Sequence, residues 1–189
     1  MKSVLDEGYD AVFVGTGAPL GKRLELPGFE EAKDNVHTGI EWLASVAFEH
    51  IDSIGKNVIV LGGGNTAMDC CRTSLRLGAD NVRVMARKPR AFFKASPWEL
   101  DDAEEEDIEI MVNHSPKAFV HENGTLTGMV FELMEYDIDD KGRITDSRVT
   151  GEVTLPCDDV ILAIGQENAF PWIEEETGIE LDKWSVPVV

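Results

Sequence analysis

Asn57-Val58-Ile59-Val60-Leu61-Gly62-Gly63-Gly64-Asn65-Thr66-Ala67-Met68-Asp69 is the stretch whose reading decides the fold. Val58, Ile59 and Val60 are β-branched and Leu61 is apolar, so the run following Gly55 reads as a short buried strand. A helix is expected to begin at the Gly62 turn and run to about Leu77, where Gly78 supplies the stop signal. Val82, Val84 and Met85 then make a second strand. Strand, glycine turn, helix and strand within about 30 residues is the length of a βαβ unit, whose crossover is right-handed.

The turn itself has the form G-x-G-x-x-A, with Gly62, Gly64 and Ala67 in the three special positions. Gly62 permits the tight turn, Gly64 removes a β-carbon from the path of an approaching pyrophosphate, and Ala67 lets the helix pack closely on the strands. Free N–H groups at the helix start, just after the Gly62-Gly63-Gly64 turn, would then face an anion, aided by the helix dipole. The second strand ends at Arg87, 25 residues beyond Gly62 (87 − 62). A site for the unphosphorylated dinucleotide places an acid there to accept from the ribose hydroxyls. Arginine, followed by Lys88 and Arg90, suits a 2′-phosphate instead, through charge-assisted bonds. The cofactor expected from these residues is NADP(H).

Outward from this unit, Tyr9 to Val14 reads as a short buried strand ending in Gly15-Thr16-Gly17-Ala18. Thr38 is placed to cap a helix over about Gly39 to His50. Ser96-Pro97-Trp98-Glu99 has the spacing of a capping box opening a helix through about Glu106. The next part is antiparallel: Lys117 to His121 and Thr125 to Tyr136 flank Asn123-Gly124, and a turn at Asp140-Lys141-Gly142 leads to a strand ending near Leu155. Asp159 to Ile164 is again a buried strand, stopping at Gly165-Gln166. The expected fold is α/β, a Rossmann-type parallel sheet with helices plus a three-stranded antiparallel β-meander.

Composition excludes several alternatives. With 43% hydrophobic and 28% charged residues the chain is an ordinary globular one. No apolar run approaches the roughly 20 residues needed to span a bilayer, and the acidic start, Met1 to Glu7, leads us to expect no signal peptide. A net charge of −19 repels nucleic acid and anionic membranes alike, so neither is expected as a partner. Against that background the basic stretch from Asn81 to Trp98, with Arg83, Arg87, Lys88, Arg90 and Lys94 and no acid, is informative. The acidic run from Glu99 to Glu109 reads as a solvated helix. Cys70, Cys71 and Cys157 suggest neither a metal cluster nor a disulfide framework, and a reducing cytoplasm fits.

From Gly55 through Asp69, and on through Arg72, Arg76-Leu77-Gly78-Ala79 and Val82 to Arg87-Lys88, the chain resembles the glutamate synthase small (beta) subunit and related NADPH-dependent FAD oxidoreductases. These carry an NAD(P) domain of the pyridine nucleotide-disulfide oxidoreductase type, inserted into an FAD domain. The resemblance covers nearly the whole chain, and the Asn65-Thr66-Ala67-Met68-Asp69 string is quite specific. It implies hydride passage between NADPH and FAD, with Asn65 and Thr66 over the pyrophosphate, Arg87 and Lys88 on the 2′-phosphate, and Gly165 near the nicotinamide–flavin junction. It implies a division into 1–20, a crossing strand from an FAD domain; 21–166, the NADP(H)-binding domain; and 167–189, a return segment. A large glutamate synthase subunit or a ferredoxin-type protein is the implied partner. The family usually has methionine-proline after the basic turn; Phe93-Lys94 stands there, and no role is carried to it. The family's amino-terminal flavin glycine motif, cysteine-rich segment and carboxy-terminal flavin motif have no counterpart, so an excised NADP domain, inactive alone, is expected.

Two other readings compete. A flavin-independent NADP dehydrogenase of the short-chain type would carry Tyr-x-x-x-Lys, but Tyr9 is followed four positions on by Phe13 and Tyr136 by Asp140. A non-catalytic NADP-binding module is the second. Hydride transfer is cofactor chemistry and requires no acid/base residue, which agrees with the scattered His37, His50, His114 and His121. Cys70 and Cys71 are adjacent rather than spaced as Cys-x-x-Cys, so packing accounts for them.

Overall fold

A computed structural model describes residues 2–173, 177–184 and 186–188. The helices are α1 (Lys2–Leu5), α2 (Phe29–Ala32), α3 (Gly39–Ala47), α4 (Asn65–Arg76) and α5 (Pro97–Glu105). The strands are β1 (Leu20–Gly21), β2 (Val36–Thr38), β3 (Asn57–Leu61), β4 (Asn81–Met85), β5 (Glu109–Met111), β6 (His114–Glu122), β7 (Thr125–Ile138), β8 (Ile144–Pro156), β9 (Asp159–Leu162) and β10 (Gln166–Glu167). The chain divides into two compact units, one of Gly21–Gly165 and one of Met1–Leu20 with Gln166–Val189.

In the larger unit five strands form a parallel sheet in the order β2-β9-β3-β4-β5. β3 and β4 run in register from Asn57 opposite Asn81 to Leu61 opposite Met85, and α4 crosses between them. Helices on one face and a second sheet on the other bury β3 on both sides, which is why its sequence is an unbroken apolar run. Val58 and Val60 join Trp42, Met68, Cys70, Cys71, Leu100 and Ala103 in one core; Ile59 and Leu61 join Phe119, Leu126, Met129 and Phe131 in the other. That second core is closed by the antiparallel sheet β6-β7-β8. Asn123 and Gly124 both adopt positive φ, 50° and 84°, as the two-residue hairpin between β6 and β7 requires.

The expected Rossmann-type sheet and three-stranded meander are thus both present. Several local expectations change. No described strand pairs with residues 9–14; Tyr9 and Phe13 are 64% and 96% exposed, so an apolar run without a ladder partner stays irregular. α3 ends at Ala47, short of His50, and Thr38 precedes it without a side-chain cap. Ser96 and Pro97 do start α5, yet the capping box does not form: the Ser96 hydroxyl caps no amide. Tertiary partners win instead, because the Ser96 N–H donates to Asn65 Oδ1 and the Glu99 carboxylate faces Arg72. The edge strands β2 and β5, each three residues long, carry too little pattern to be legible in the sequence.

The smaller unit contains α1, β10 and a bridge between Leu181 and Pro187, with Phe170 and Trp172 packed edge to face at 5.7 Å. The return segment expected over 167–189 includes residues 174–176, 185 and 189, which lie outside the described residues.

Candidate functional site: the glycine turn and the basic strand end

The parallel sheet reverses its direction of growth between β3 and β9: β4 and β5 extend it on one side, β9 and β2 on the other. Above the carboxyl ends of strands at such a switch point, open α/β sheets receive their ligands. Gly62 stands at that crevice, its N–H bonded to the Met85 carbonyl at 3.1 Å. Its φ is 151°, and a β-carbon there would lie 2.4 Å from the Ala163 carbonyl oxygen and 3.2 Å from the Ala67 β-carbon. Only glycine brings the turn against the end of β9 while the fully buried Ala67 lets α4 sit low on the sheet. Gly64 differs in kind. Its backbone is extended, φ −114°, and a β-carbon would meet nothing within 4 Å, so the space beside it is open.

The amides of Gly63, Gly64, Asn65 and Thr66 donate to no group among the described residues; the first turn of α4 begins its ladder with Ala67 and Met68 on the Gly64 carbonyl. Unpartnered N–H groups at the positive end of a twelve-residue helix are suited to an anion.

A strap from residues 93–96 holds this turn from outside. The Gly63 carbonyl accepts from Lys94 N–H at 2.8 Å and Ala95 N–H at 3.1 Å. The Phe93 ring packs against Gly63, 3.2 Å from where a β-carbon would be. Asn65 Oδ1 accepts from Ser96 N–H at 2.9 Å, and its Nδ2 approaches the Ser96 hydroxyl at 3.5 Å. The sequence assigned no role to Phe93-Lys94, and nothing in their identity signals one; their contribution is backbone bonding and packing, visible only once the chain is folded.

The basic strand end follows β4. Arg87 and Lys88 are exposed, and neither side chain makes an ion pair among the described residues; Lys88 Nζ lies 5.7 Å above the Phe92 ring. The Arg87 backbone is fixed, because its carbonyl accepts from the Tyr136 hydroxyl at 2.7 Å. Arg90 is placed differently: its Nη1 and Nη2 meet Glu104 at 2.5 and 3.0 Å. Arg83 likewise pairs with Glu109 at 2.8 Å. The acidic run is therefore not merely solvated. Glu99, Asp102 and Glu106 all reach Arg72, and Glu106 also holds Arg76, which pins α5 to α4. Hydrogen bonds from Arg76 and Arg72 keep the Glu106 carboxyl below its usual range.

Gly165, with φ 118°, follows β9 and accepts at its carbonyl from Lys22 N–H at 3.0 Å. The histidines are scattered as the sequence suggested: His37 pairs with the buried Asp159 at 2.8 Å, and His114 Nδ1 lies 2.6 Å from the Val112 carbonyl. Cys70, Cys71 and Cys157 are free and buried; burial pushes the Cys71 and Cys157 thiols up to about 12 and Cys70 higher still. Among the described residues no cluster of His, Cys, Asp or Glu could hold a metal ion.

A parallel sheet with a glycine turn at its switch point, backed by an antiparallel meander, defines a Rossmann domain of the nucleotide-oxidoreductase type. The pyridine nucleotide-disulphide oxidoreductase family model matches residues 3–189, and the chain belongs to that family. Among curated relatives, the NADPH-Fe(3+) oxidoreductase subunit beta of Geobacter sulfurreducens is 35% identical over 188 residues, covering 97% of this chain and 28% of that protein. The glutamate synthase [NADPH] small chain of Halomonas elongata is 34% identical over 189 residues, covering 94% of this chain and 39% of that one. The chain thus spans well under half the length of these relatives. In fold it is similar to Mycobacterium tuberculosis FprA in complex with NADPH, with a TM-score of 0.73 and 19% identity over 96% of this chain and 54% of that one. No helix among the described residues is long and apolar enough to cross a membrane.

Proposed function

We propose that this chain is the NADP(H)-binding domain of a flavoprotein oxidoreductase that passes hydride between NADPH and FAD. The observation that carries the reading is a pair of cations, Arg87 and Lys88, that pair with no carboxylate among the described residues, at the end of the strand beside a turn whose four amides donate to none of those residues. The Gly63, Gly64, Asn65 and Thr66 amides take the pyrophosphate, Gly62 and Ala67 shape the turn that presents them, and Arg87 with Lys88 takes the 2′-phosphate. Arg90 supports the acidic end of α5 and contributes at longer range. Gly165 lies toward the nicotinamide.

FAD supplies the hydride-accepting chemistry when bound, and this chain contributes position and charge, with no acid or base of its own. Residues 1–20 and 167–189 serve as the two segments that enter the FAD domain, and 21–166 as the NADP(H) domain. The partner this reading implies is a glutamate synthase large subunit or a ferredoxin-type protein in the cytoplasm; a relative named as a glutamate synthase small chain supports the first of these.

Calorimetric titration with NADPH, NADH and adenosine 2′,5′-bisphosphate tests the reading. The expected result is binding of NADPH and the bisphosphate, with NADH weaker by about tenfold or more, the worth of a charge-assisted contact. Equal affinity for the two dinucleotides would overturn it. With added FAD the isolated chain should oxidise NADPH little or not at all; steady turnover without flavin would favour a self-sufficient dehydrogenase.

A further inference from the structure

The Tyr136 hydroxyl donates to the Arg87 carbonyl at 2.7 Å across 49 residues of sequence. This bond comes from β7 of the antiparallel sheet, not from the Rossmann unit that carries the turn. Neighbouring bonds lead to the same place: His114 N–H donates to the Ala86 carbonyl at 3.0 Å, and Met134 N–H to the Asn113 carbonyl at 2.8 Å. The backbone of the basic strand end is therefore held from the meander, while among the described residues no carboxylate fixes the Arg87 side chain.

We infer that Tyr136 is a positioning residue for Arg87, and that through it the antiparallel sheet sets the preference for the 2′-phosphorylated dinucleotide. This rests on the reading of Arg87 as the 2′-phosphate ligand. A guanidinium on a wandering backbone loses entropy when it grips a phosphate; one whose carbonyl is anchored loses less. Burial raises the Tyr136 phenol above its ordinary range, so the hydroxyl stays protonated, and a donor, through neutral pH.

The test is a double-mutant cycle on the chain, read by calorimetric affinity for NADPH and NADH. Tyr136→Phe removes the donor and keeps the ring. It should weaken NADPH binding by about three- to tenfold, the worth of one neutral hydrogen bond, while leaving NADH binding and the thermal midpoint nearly unchanged. In an Arg87→Ala background the same substitution should have no further effect on NADPH. Equal losses for NADPH and NADH, or additive losses in the double variant, would mean general scaffolding and overturn the inference. Unchanged NADPH affinity in Tyr136→Phe, beside a large loss in Arg87→Ala, would overturn it and leave the proposed function standing. No loss in Arg87→Ala would remove the 2′-phosphate reading and the inference with it.

Discussion

The Arg90 guanidinium lies across the Glu104 carboxylate in a two-point contact at 2.5 and 3.0 Å, whereas Arg87, three residues earlier, pairs with no carboxylate among the described residues. Two arginines of one basic turn are thus assigned different work by their neighbours. Glu104 holds the Arg90 proton more firmly still, chiefly through those hydrogen bonds.

The difference predicts unequal variants. Arg87→Ala should lower NADPH affinity at least tenfold with little change for NADH, since about 1.5–3 kcal/mol rides on a charge-assisted contact. Arg90→Ala should lower it no more than about threefold, because its charge is already offset by Glu104. Isothermal titration of both variants decides; a larger loss for Arg90 would reverse the assignment of the two side chains.

Gly62 and Gly64 should separate folding from binding. In Gly62→Ala the new methyl meets the Ala163 carbonyl at 2.4 Å and φ is 151°, so the thermal midpoint should fall, with about 1–3 kcal/mol lost. In Gly64→Ala the methyl meets nothing within 4 Å and φ is −114°, so the midpoint should hold. Yet the methyl occupies the approach to the amides, and affinity for NADPH and NADH should fall together. A Gly64→Ala variant that binds normally would show that the ligand does not come that way.

Asn65→Ala removes the acceptor of the Ser96 N–H and loosens the strap over the glycine turn. About 0.5–1.5 kcal/mol is the usual worth of one such bond. On the proposed reading the turn takes the pyrophosphate, which both dinucleotides share, so losses of a few-fold should be equal for NADPH and NADH. A loss confined to NADPH would tie Asn65 to the adenosine end instead.

The buried thiols give a pH dependence with a definite sign. Burial raises Cys71 and Cys157 from 9.0 to about 12 in the folded chain. Above pH 9 the unfolded chain sheds these protons and the folded chain does not, so stability is complete below that pH and declines as pH rises towards 12. Denaturant melts at pH 8 and pH 10 should show the drop, and it should shrink in a Cys157→Ser variant. Thiol-specific reagents at pH 8 should label the chain only after unfolding.

Much of the fold could be read along the chain. Asn57 to Leu61 with its glycine turn and helix is local physics: apolar β-branched residues, a position that only glycine fills, and a small residue where helix meets sheet. Asn123-Gly124 likewise announces its hairpin, because two consecutive positive φ values are demanded there. At the start of α5 a local pattern competes with distant partners and loses. Ser96 and Glu99 have the spacing of a cap, but Asn65 and Arg72 are better partners and come from another helix.

The amino-acid order by itself determined that a glycine turn opens a helix here and that cations follow it about 25 residues on, since both depend on neighbours within one βαβ unit. Which cations stay available was decided by tertiary structure alone. Glu104 claims Arg90 from α5, Glu109 claims Arg83 from β5, and Tyr136 reaches the Arg87 backbone from a separate sheet. Ion pairs and anchoring bonds form between groups brought together through space, and no spacing along the chain encodes that choice.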